Sequence, residues 1–388
     1  MSRLSTDTFG HTVTLYYERS DFLKAKLFVR KYCSPHLRSI SVAEVGSAIQ
    51  KFVQSTYSIL YRETNASPQA ALFDAVSAET VGAFANALAQ SPLIVEPTQV
   101  SLFPISILNV VAPYVSDTFF ISNSASLNAF ATQYNLNAEM IDPAVFPPFH
   151  NWRGTQEPAD TFLGVQAASP EIALRVRAAV LGALALLPHY MERYLFTGRH
   201  IISGVASVAN LERSASYGMK HTPALAEQLT ITSDDHEWLD ALTHKLSSEA
   251  NSDKRQLRAL EYYYRAWIPD SARRFPILFG ALDAIYGDAG QATQSIIDAI
   301  GPVMGSAYTY ERLKLLLSVR ASVVHGGAPN VYESSKYHDY YEQYSEDVTN
   351  DLELIVARCL QTFIFNGTMK ERPHTHAALI LQHTGRVV

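Results

Sequence analysis

The chain has 388 residues, 47% of them hydrophobic and 18% charged, a balance too apolar for a disordered polymer. Its net charge of −6 excludes a polycation, so any contact with nucleic acid has to come from a local basic site. Its two cysteines, Cys33 and Cys359, are far apart and in no CxxC pattern, which excludes a disulfide framework and a cysteine-based zinc site and fits a reducing compartment.

The first 30 residues read as strand. In the run His11 to Glu18, Val13 and Leu15 alternate with Thr12 and Thr14, the period of a half-buried pleated strand. A helix follows from Ser41, a suitable cap, with Val42, Val45, Ile49, Phe52, Val53 and Leu60 on one face. A second helical stretch covers Pro68 to Gln90, with Ser77 or Thr80 as an internal cap. Residues 91–168 change character. The segments Val100–Val111 and Thr118–Ile121 are β-branched and aromatic, broken by Pro104, Pro113, Pro143, Pro147 and Pro148, and residues 147–154 read as a loop. Pro170 to Leu187 is helical, with proline in the first turn; it is apolar almost all round, so it is expected to be buried, and Pro188 ends or kinks it.

The polar stretch Asn210–Asp235 is where the domain boundary is expected. Beyond it, Glu237–Ser248, Asp253–Trp267, Ser271–Tyr286, Gln291–Ile300, Thr309–His325 and Ser345–Phe365 are helix-length segments separated by short polar or Gly/Pro breaks, the pattern of a helical bundle. The expected architecture is mainly α: a mixed α+β N-terminal domain (1–225) for sensing or target recognition, then a helical domain (226–388) with a short tail. No apolar leader is visible at the N-terminus, and the longest apolar run, Ala178–Pro188, is too short to cross a bilayer. These features lead us to expect a soluble, cytoplasmic protein that does not engage a membrane.

One constellation carries chemistry. On a helix of about 100° per residue, Leu313, Leu316, Leu317, Val323 and Val324 share an arc with Arg320 in its middle, while Lys314, Ser318 and Ser322 lie opposite. A guanidinium inside an apolar face is costly unless it is paired or lines a wet cleft. His325 stands at the last helical position before Gly326, which stops the helix by taking the left-handed cap, and the helix C-terminus favours a protonated imidazole. A fixed cation and a titratable acid/base group are two requirements for cutting RNA without a metal: a base for the ribose 2′-OH and a cation for the charge on the pentavalent phosphorus. The same spacing also arises when an Arg is a salt-bridge partner and a His merely precedes a capping Gly.

The run Ser318 to Gly327 resembles the C-terminal motif of HEPN domains, particularly the Apea-like branch, which carries R-x4–6-H commonly ending in His-Gly. Upstream, Arg274 to Tyr286 resembles the family's earlier helix, with Asp283 where the family has its acidic residue, and Ser345–Phe365 would be the closing helix. The similarity covers residues 230–366. It implies an HEPN-like bundle and a metal-independent endoribonuclease acting as a homodimer, with the Arg320 helix faces packed together around a composite site. By the same resemblance, Arg320 binds the scissile phosphate, His325 acts as acid or base, and Asp283 orients Arg320. A setting in prokaryotic antiviral or toxin-type defence, with a trigger bound by the N-terminal domain, is implied in the same way; no cofactor and no metal are expected. The alternative is a non-catalytic HEPN-like dimerisation or binding module, favoured by Ala321, where active members often carry a polar residue.

Tyr332, Tyr337, Tyr340, Tyr341 and Tyr344 follow the motif; such rings either stack RNA bases or pack a loop onto the bundle. Tyr332 is the one assigned to RNA. Arg312 and Lys314 form a local basic rim for phosphates or are ordinary solvated charges. His374, His376 and His383 in the tail lack a completing Cys or carboxylate for zinc. His189, Arg199 and His200, and His150 near Trp152 and Arg153, read as pocket or surface residues of the first domain. No Walker loop, GxGxxG, GxSxG or HExxH occurs.

Overall fold

A computed structural model of the chain describes residues 2–8, 11–66, 76–105, 108–134, 149–150, 156–157, 160–193, 204–209, 212–217, 229–287 and 292–374. The chain is mostly helical with an antiparallel sheet, and it divides into two units, Met1–Gln99 with Ala167–Ile172, and Val100–Gln166 with Ala173–Val388.

In the first unit, strands β1 (Ser2–Thr8) and β2 (His11–Tyr17) form an antiparallel hairpin, which places the expected strand at His11. The residues that follow are helix rather than strand: α1 (Arg19–Tyr32) turns Phe22, Ala25 and Val29 inward at helical spacing, a signal diluted by the charges between them. Helix α2 (Val42–Ala66) starts at Ser41, whose Oγ accepts from Glu44 N at 3.2 Å. Helix α3 (Ala78–Ala89) starts at Ser77, whose side chain accepts from Thr80 N; residues 68–75 of the expected helix lie outside the described residues. The core of this unit is Leu37, Ile40, Val45, Phe52 and Leu93.

In the second unit, β3 (Gln99–Pro104), β5 (Tyr114–Val115), β6 (Phe119–Asn123), β9 (Thr161–Ala167), β10 (Gly204–Ala209) and β11 (Glu212–Tyr217) form a six-stranded sheet in the order β11-β10-β3-β9-β6-β5. A short helix, α4 (Leu127–Gln133), covers it. It is too short for its period to show in the sequence. Phe149–His150 and Gln156–Glu157 pair as strands β7 and β8, so part of the expected loop is extended and paired.

Helix α5 (Pro170–Leu184) is buried over Ala178–Leu184, as its all-round apolarity requires. Strand β12 (Leu229–Ile231) pairs in parallel with β4 (Leu108–Val110), and Tyr114 Oη donates to Asp240 Oδ1 at 2.9 Å. Sheet and helical bundle therefore fold as one unit. The expected division near residue 225 does not appear; it falls near residue 99.

The bundle comprises α6 (His236–Ser247), α7 (Asn251–Ala266), α8 (Ser271–Tyr286), α9 (Ala292–Met304), α10 (Tyr310–Val324), α11 (Ser335–Tyr344) and α12 (Val348–Phe365). Six match the expected segments to within a few residues at their ends. α11 carries four of the five clustered tyrosines, Tyr337, Tyr340, Tyr341 and Tyr344, on a helix, where a loop was expected. Helix α8 is central, packed on α7, α9, α10 and α12. Asp270, Thr309 and Asp347 cap α8, α10 and α12 with their side chains. Helices α5 and α7 approach so closely that a Cβ on Gly182 would stand 2.1 Å from the Leu260 carbonyl oxygen, so only glycine fits there. Among the described residues no helix is long and apolar enough to cross a membrane.

Candidate functional site

Helix α10 is held by its apolar arc, with Leu313, Leu316, Leu317 and Val319 buried. Arg320 continues that arc and is only partly covered. Phe279 and Asp283, four residues apart on α8, share a face. The Arg320 guanidinium lies 5.4 Å from the Phe279 ring centre, and its Nη2 donates to Asp283 Oδ2 at 2.5 Å. The two side chains retain 27% and 33% of their surface. The other guanidinium N–H groups meet no protein acceptor among the described residues. Burial pushes the Asp283 carboxyl above its usual range, and the Arg320 charge pulls it part of the way back. Its second oxygen, Oδ1, is buried without a hydrogen-bond partner among the described residues.

His325 is the C-cap of α10, its backbone N–H donating to Ala321 O, and Gly326 takes φ +76° as the sequence requires. The imidazole is exposed and carries no side-chain hydrogen bond among the described residues. Five residues on a helix amount to a rotation of about 140° and a rise of about 7.5 Å. The structure therefore brings Asp283 to Arg320 but does not bring His325 to either within one chain. Val324 beside it is 53% exposed and Phe363, whose ring stacks edgewise on Tyr286, is 46% exposed.

The remaining expected residues separate. Arg312 is not a free rim cation. Its Nε donates to Tyr340 Oη at 2.9 Å and to Asp351 Oδ2 at 3.1 Å, and its Nη1 to Ala307 O at 3.3 Å. Nη2 also pairs with Asp351, and the Tyr308 and Tyr344 rings flank the group at 4.4 and 4.9 Å. A carboxylate on the buried face of α12 needs this partner. Lys314 is exposed, 5.8 Å from the Tyr310 ring. Tyr332 is 38% exposed and meets Tyr337 edge-on at 5.2 Å, whereas Tyr340 is fully buried.

A second charged cluster escaped sequence reasoning. Arg193 is wholly buried; its Nη1 donates to Glu353 Oε1 at 3.0 Å and its Nε to Pro188 O at 3.1 Å, and Nη2 pairs with Glu371. Tyr263 Oη also donates to Glu353, at 2.5 Å. The available signal was Asp351 and Glu353 within the apolar run of α12, two carboxylates that burial obliges to find cations. His189 and His374 stack at 4.9 Å beside this cluster. Among the described residues no group of three or more His, Cys, Asp or Glu is arranged to hold a metal ion. Trp152, Arg153, Arg199, His200, His376 and His383 lie outside the described residues.

No family model matches the chain, and no curated protein or solved structure matches it.

Proposed function

We propose that the chain is an endoribonuclease of HEPN type that cleaves RNA without a metal, acting as a homodimer joined at the C-terminal end of the Arg320 face of α10, where Arg320 and Val324 keep exposed surface while Leu313, Leu316 and Leu317 are buried within the chain. The observation that carries this reading is the Arg320–Asp283 pair. A carboxylate from a second helix fixes one edge of a guanidinium, leaving its other donors uncommitted and within reach of solvent. That is a preorganised oxyanion binder. His325 stands at the end of the same helix, exposed and without a side-chain hydrogen bond among the described residues.

Because the two groups diverge by about 140° on one helix, one copy alone does not assemble a site, and the reading requires the motifs of two copies to meet across their interface. One imidazole takes the 2′-OH proton as the 2′ oxygen attacks phosphorus. The phosphorus–5′ oxygen bond breaks, and the second imidazole, protonated, gives its proton to the leaving oxygen. Arg320 holds the phosphate charge throughout. The products are a 2′,3′-cyclic phosphate and a 5′-OH. A defence setting, with a trigger acting on the N-terminal part, belongs to the same proposal.

The test is total RNA incubated in EDTA with wild type, Arg320→Ala and His325→Ala. Cleavage leaving cyclic phosphate ends in wild type only is the expected result. Cleavage that persists in both variants, or that needs a metal, rejects it. The second reading is a non-catalytic dimerisation or binding module. It is favoured by the divergence of Arg320 and His325 within one chain, and it gains if wild type leaves RNA intact under every condition in which it forms a dimer.

A further inference from the structure

The outer face of α1 combines features that the chain as a whole lacks. The protein is net acidic, yet α1 carries Arg19, Lys24, Lys26, Arg30 and Lys31 against one acid, Asp21. None of its residues is fully buried. Its solvent side exposes large apolar groups: Leu23 at 50%, Leu27 at 52%, and Phe28 and Tyr32 each at 61%. Monomeric proteins rarely leave such a cluster on one helix without a partner.

The arrangement selects among partners. At about 100° per residue, Lys24 and Lys31 run along the middle of the exposed face. Leu23 and Leu27 lie on one flank, Phe28 and Tyr32 on the other. A helix that enters a lipid surface needs an unbroken apolar face, and here a row of ammonium groups divides it. A cationic track beside a pair of rings instead suits a single-stranded nucleic acid, with phosphates on the cations and bases on the aromatics. Phe28 and Tyr32 are already neighbours, with ring centres 4.8 Å apart, and Lys31 Nζ lies 4.9 Å from the Tyr32 ring. The C-terminal end of the face opens into a depression of about 550 Å³ lined by Leu27, Arg30, Lys31, Tyr32 and Arg38. Its two arginines are held in place: Arg30 donates to Arg38 O and Arg38 to Lys31 O, both at 3.0 Å. Asp21 pairs with Lys24 at 2.9 Å, both more than two-thirds exposed, a surface contact that an incoming phosphate displaces.

We propose that this face binds single-stranded RNA, with Lys24 and Lys31 on the phosphates and Phe28 and Tyr32 stacking bases. The inference does not rest on cleavage: a module that never cuts RNA would hold it here equally well. If the chain does cut RNA, this face lies on a different unit from Arg320 and gathers substrate.

The experiment is fluorescence anisotropy of a labelled oligouridine 20-mer with the full His325→Ala chain in EDTA, so that binding is read without cleavage. Phe28→Ala and Tyr32→Ala are each expected to weaken binding by about 5- to 150-fold, the range for one stacked base. Lys24→Ala with Lys31→Ala is expected to lower the slope of log affinity against log salt by about 1.4, two contacts at about 0.7 each. Tyr32→Phe is expected to bind as the parent does, since the ring and not the hydroxyl stacks. An RNA duplex is expected to bind more weakly, because its bases are already stacked. Thermal melts of every variant within a few degrees of the parent exclude unfolding as the cause. The proposal is overturned if the parent does not bind the oligomer, or if the ring and lysine variants bind it unchanged. Equal binding of duplex, or phosphatidylserine vesicles captured in preference to RNA through the same residues, also overturns it.

Discussion

Arg320 of α10 and Asp283 of α8 are joined by one hydrogen bond that leaves each with an unused edge: uncommitted N–H groups on the guanidinium, and a buried Oδ1 on the carboxylate without a partner among the described residues. An ion pair satisfied on both sides would be structural only. This one has capacity left over, and the Arg320 side chain keeps 27% of its surface.

The electrostatics of that pair are testable by titration. Burial raises the Asp283 carboxyl and Arg320 lowers it, so Arg320→Ala moves its titration further up. The native state then holds the proton to higher pH than the unfolded chain does. Between the ordinary carboxylate value and the folded one, the native state binds more protons, so stability falls as pH rises through that window. Carbon-13 NMR of the Asp283 carboxyl reads the shift, and urea unfolding across the acid range reads the slope, steeper in the variant. An unchanged titration would mean that the pair does not form in solution.

Arg312 and Lys314 stand two residues apart and should behave oppositely. Arg312→Ala strands the Asp351 carboxylate on the buried face of α12, and such a loss costs about 3–5 kcal/mol. Lys314→Ala touches only an exposed side chain and should change stability by less than about 0.5 kcal/mol. Urea denaturation of both variants decides whether Arg312 is the structural group that its partners indicate.

Where one face of an element was buried and its period long, the sequence was legible. The spacing of Leu313, Leu316 and Leu317 gave α10, and Ser41, Ser77 and Thr309 marked true helix starts. α1 was misread as strand because its inner face, Phe22, Ala25 and Val29, is only half-buried and charges interrupt it. The division of the chain was misplaced because it depends on the pairing of Leu229–Ile231 with Leu108–Val110, a contact across more than a hundred residues that local composition does not encode. At the site, the partnership of Asp283 with Arg320 was anticipated through resemblance. The Phe279 ring beneath the guanidinium was not, since helix α8 offers several aromatic residues and only its rotation selects one.

The buried Arg193–Glu353 pair predicts a large stability effect away from any proposed chemistry. Arg193→Ala removes the buried ion-pair partner of Glu353 and leaves it the Tyr263 hydrogen bond and the Arg274 charge, at a cost of about 3–5 kcal/mol. Replacing both members with Met and Leu should recover much of that loss, because apolar packing avoids the desolvation of two charges. A double variant no more stable than Arg193→Ala would mean that the remaining partners, Glu371 and Pro188 O, carry the interaction.

Gly182→Ala tests the close crossing of α5 and α7. A methyl group there meets the Leu260 backbone oxygen, which cannot rotate away, so the helices must separate. Overpacking of this kind costs about 1–3 kcal/mol or more. Gly82, exposed on α3 and with nothing within 4 Å of an added Cβ, is the control: alanine at that helical position should be neutral or stabilising by up to about 1 kcal/mol. Guanidinium unfolding of the two variants should therefore move the midpoint in opposite directions or leave the control unmoved.

Gly326 separates the position of His325 from its chemistry. A Cβ there would meet nothing within 4 Å, but the backbone is at φ +76°, so the penalty for Ala is conformational alone, about 1–2 kcal/mol. Relief of that strain rotates the chain immediately after His325 and displaces the imidazole without altering it. Under the ribonuclease reading Gly326→Ala lowers RNA cleavage by an order of magnitude or more while the fold persists. Gly326→Asn, which tolerates the left-handed region, retains both stability and most of the rate. If both substitutions lower the rate equally, the crowding of an added side chain is responsible and not the displaced imidazole. If neither does, then the end of α10 takes no part in cleavage, and His325 is a capping residue with no chemical role.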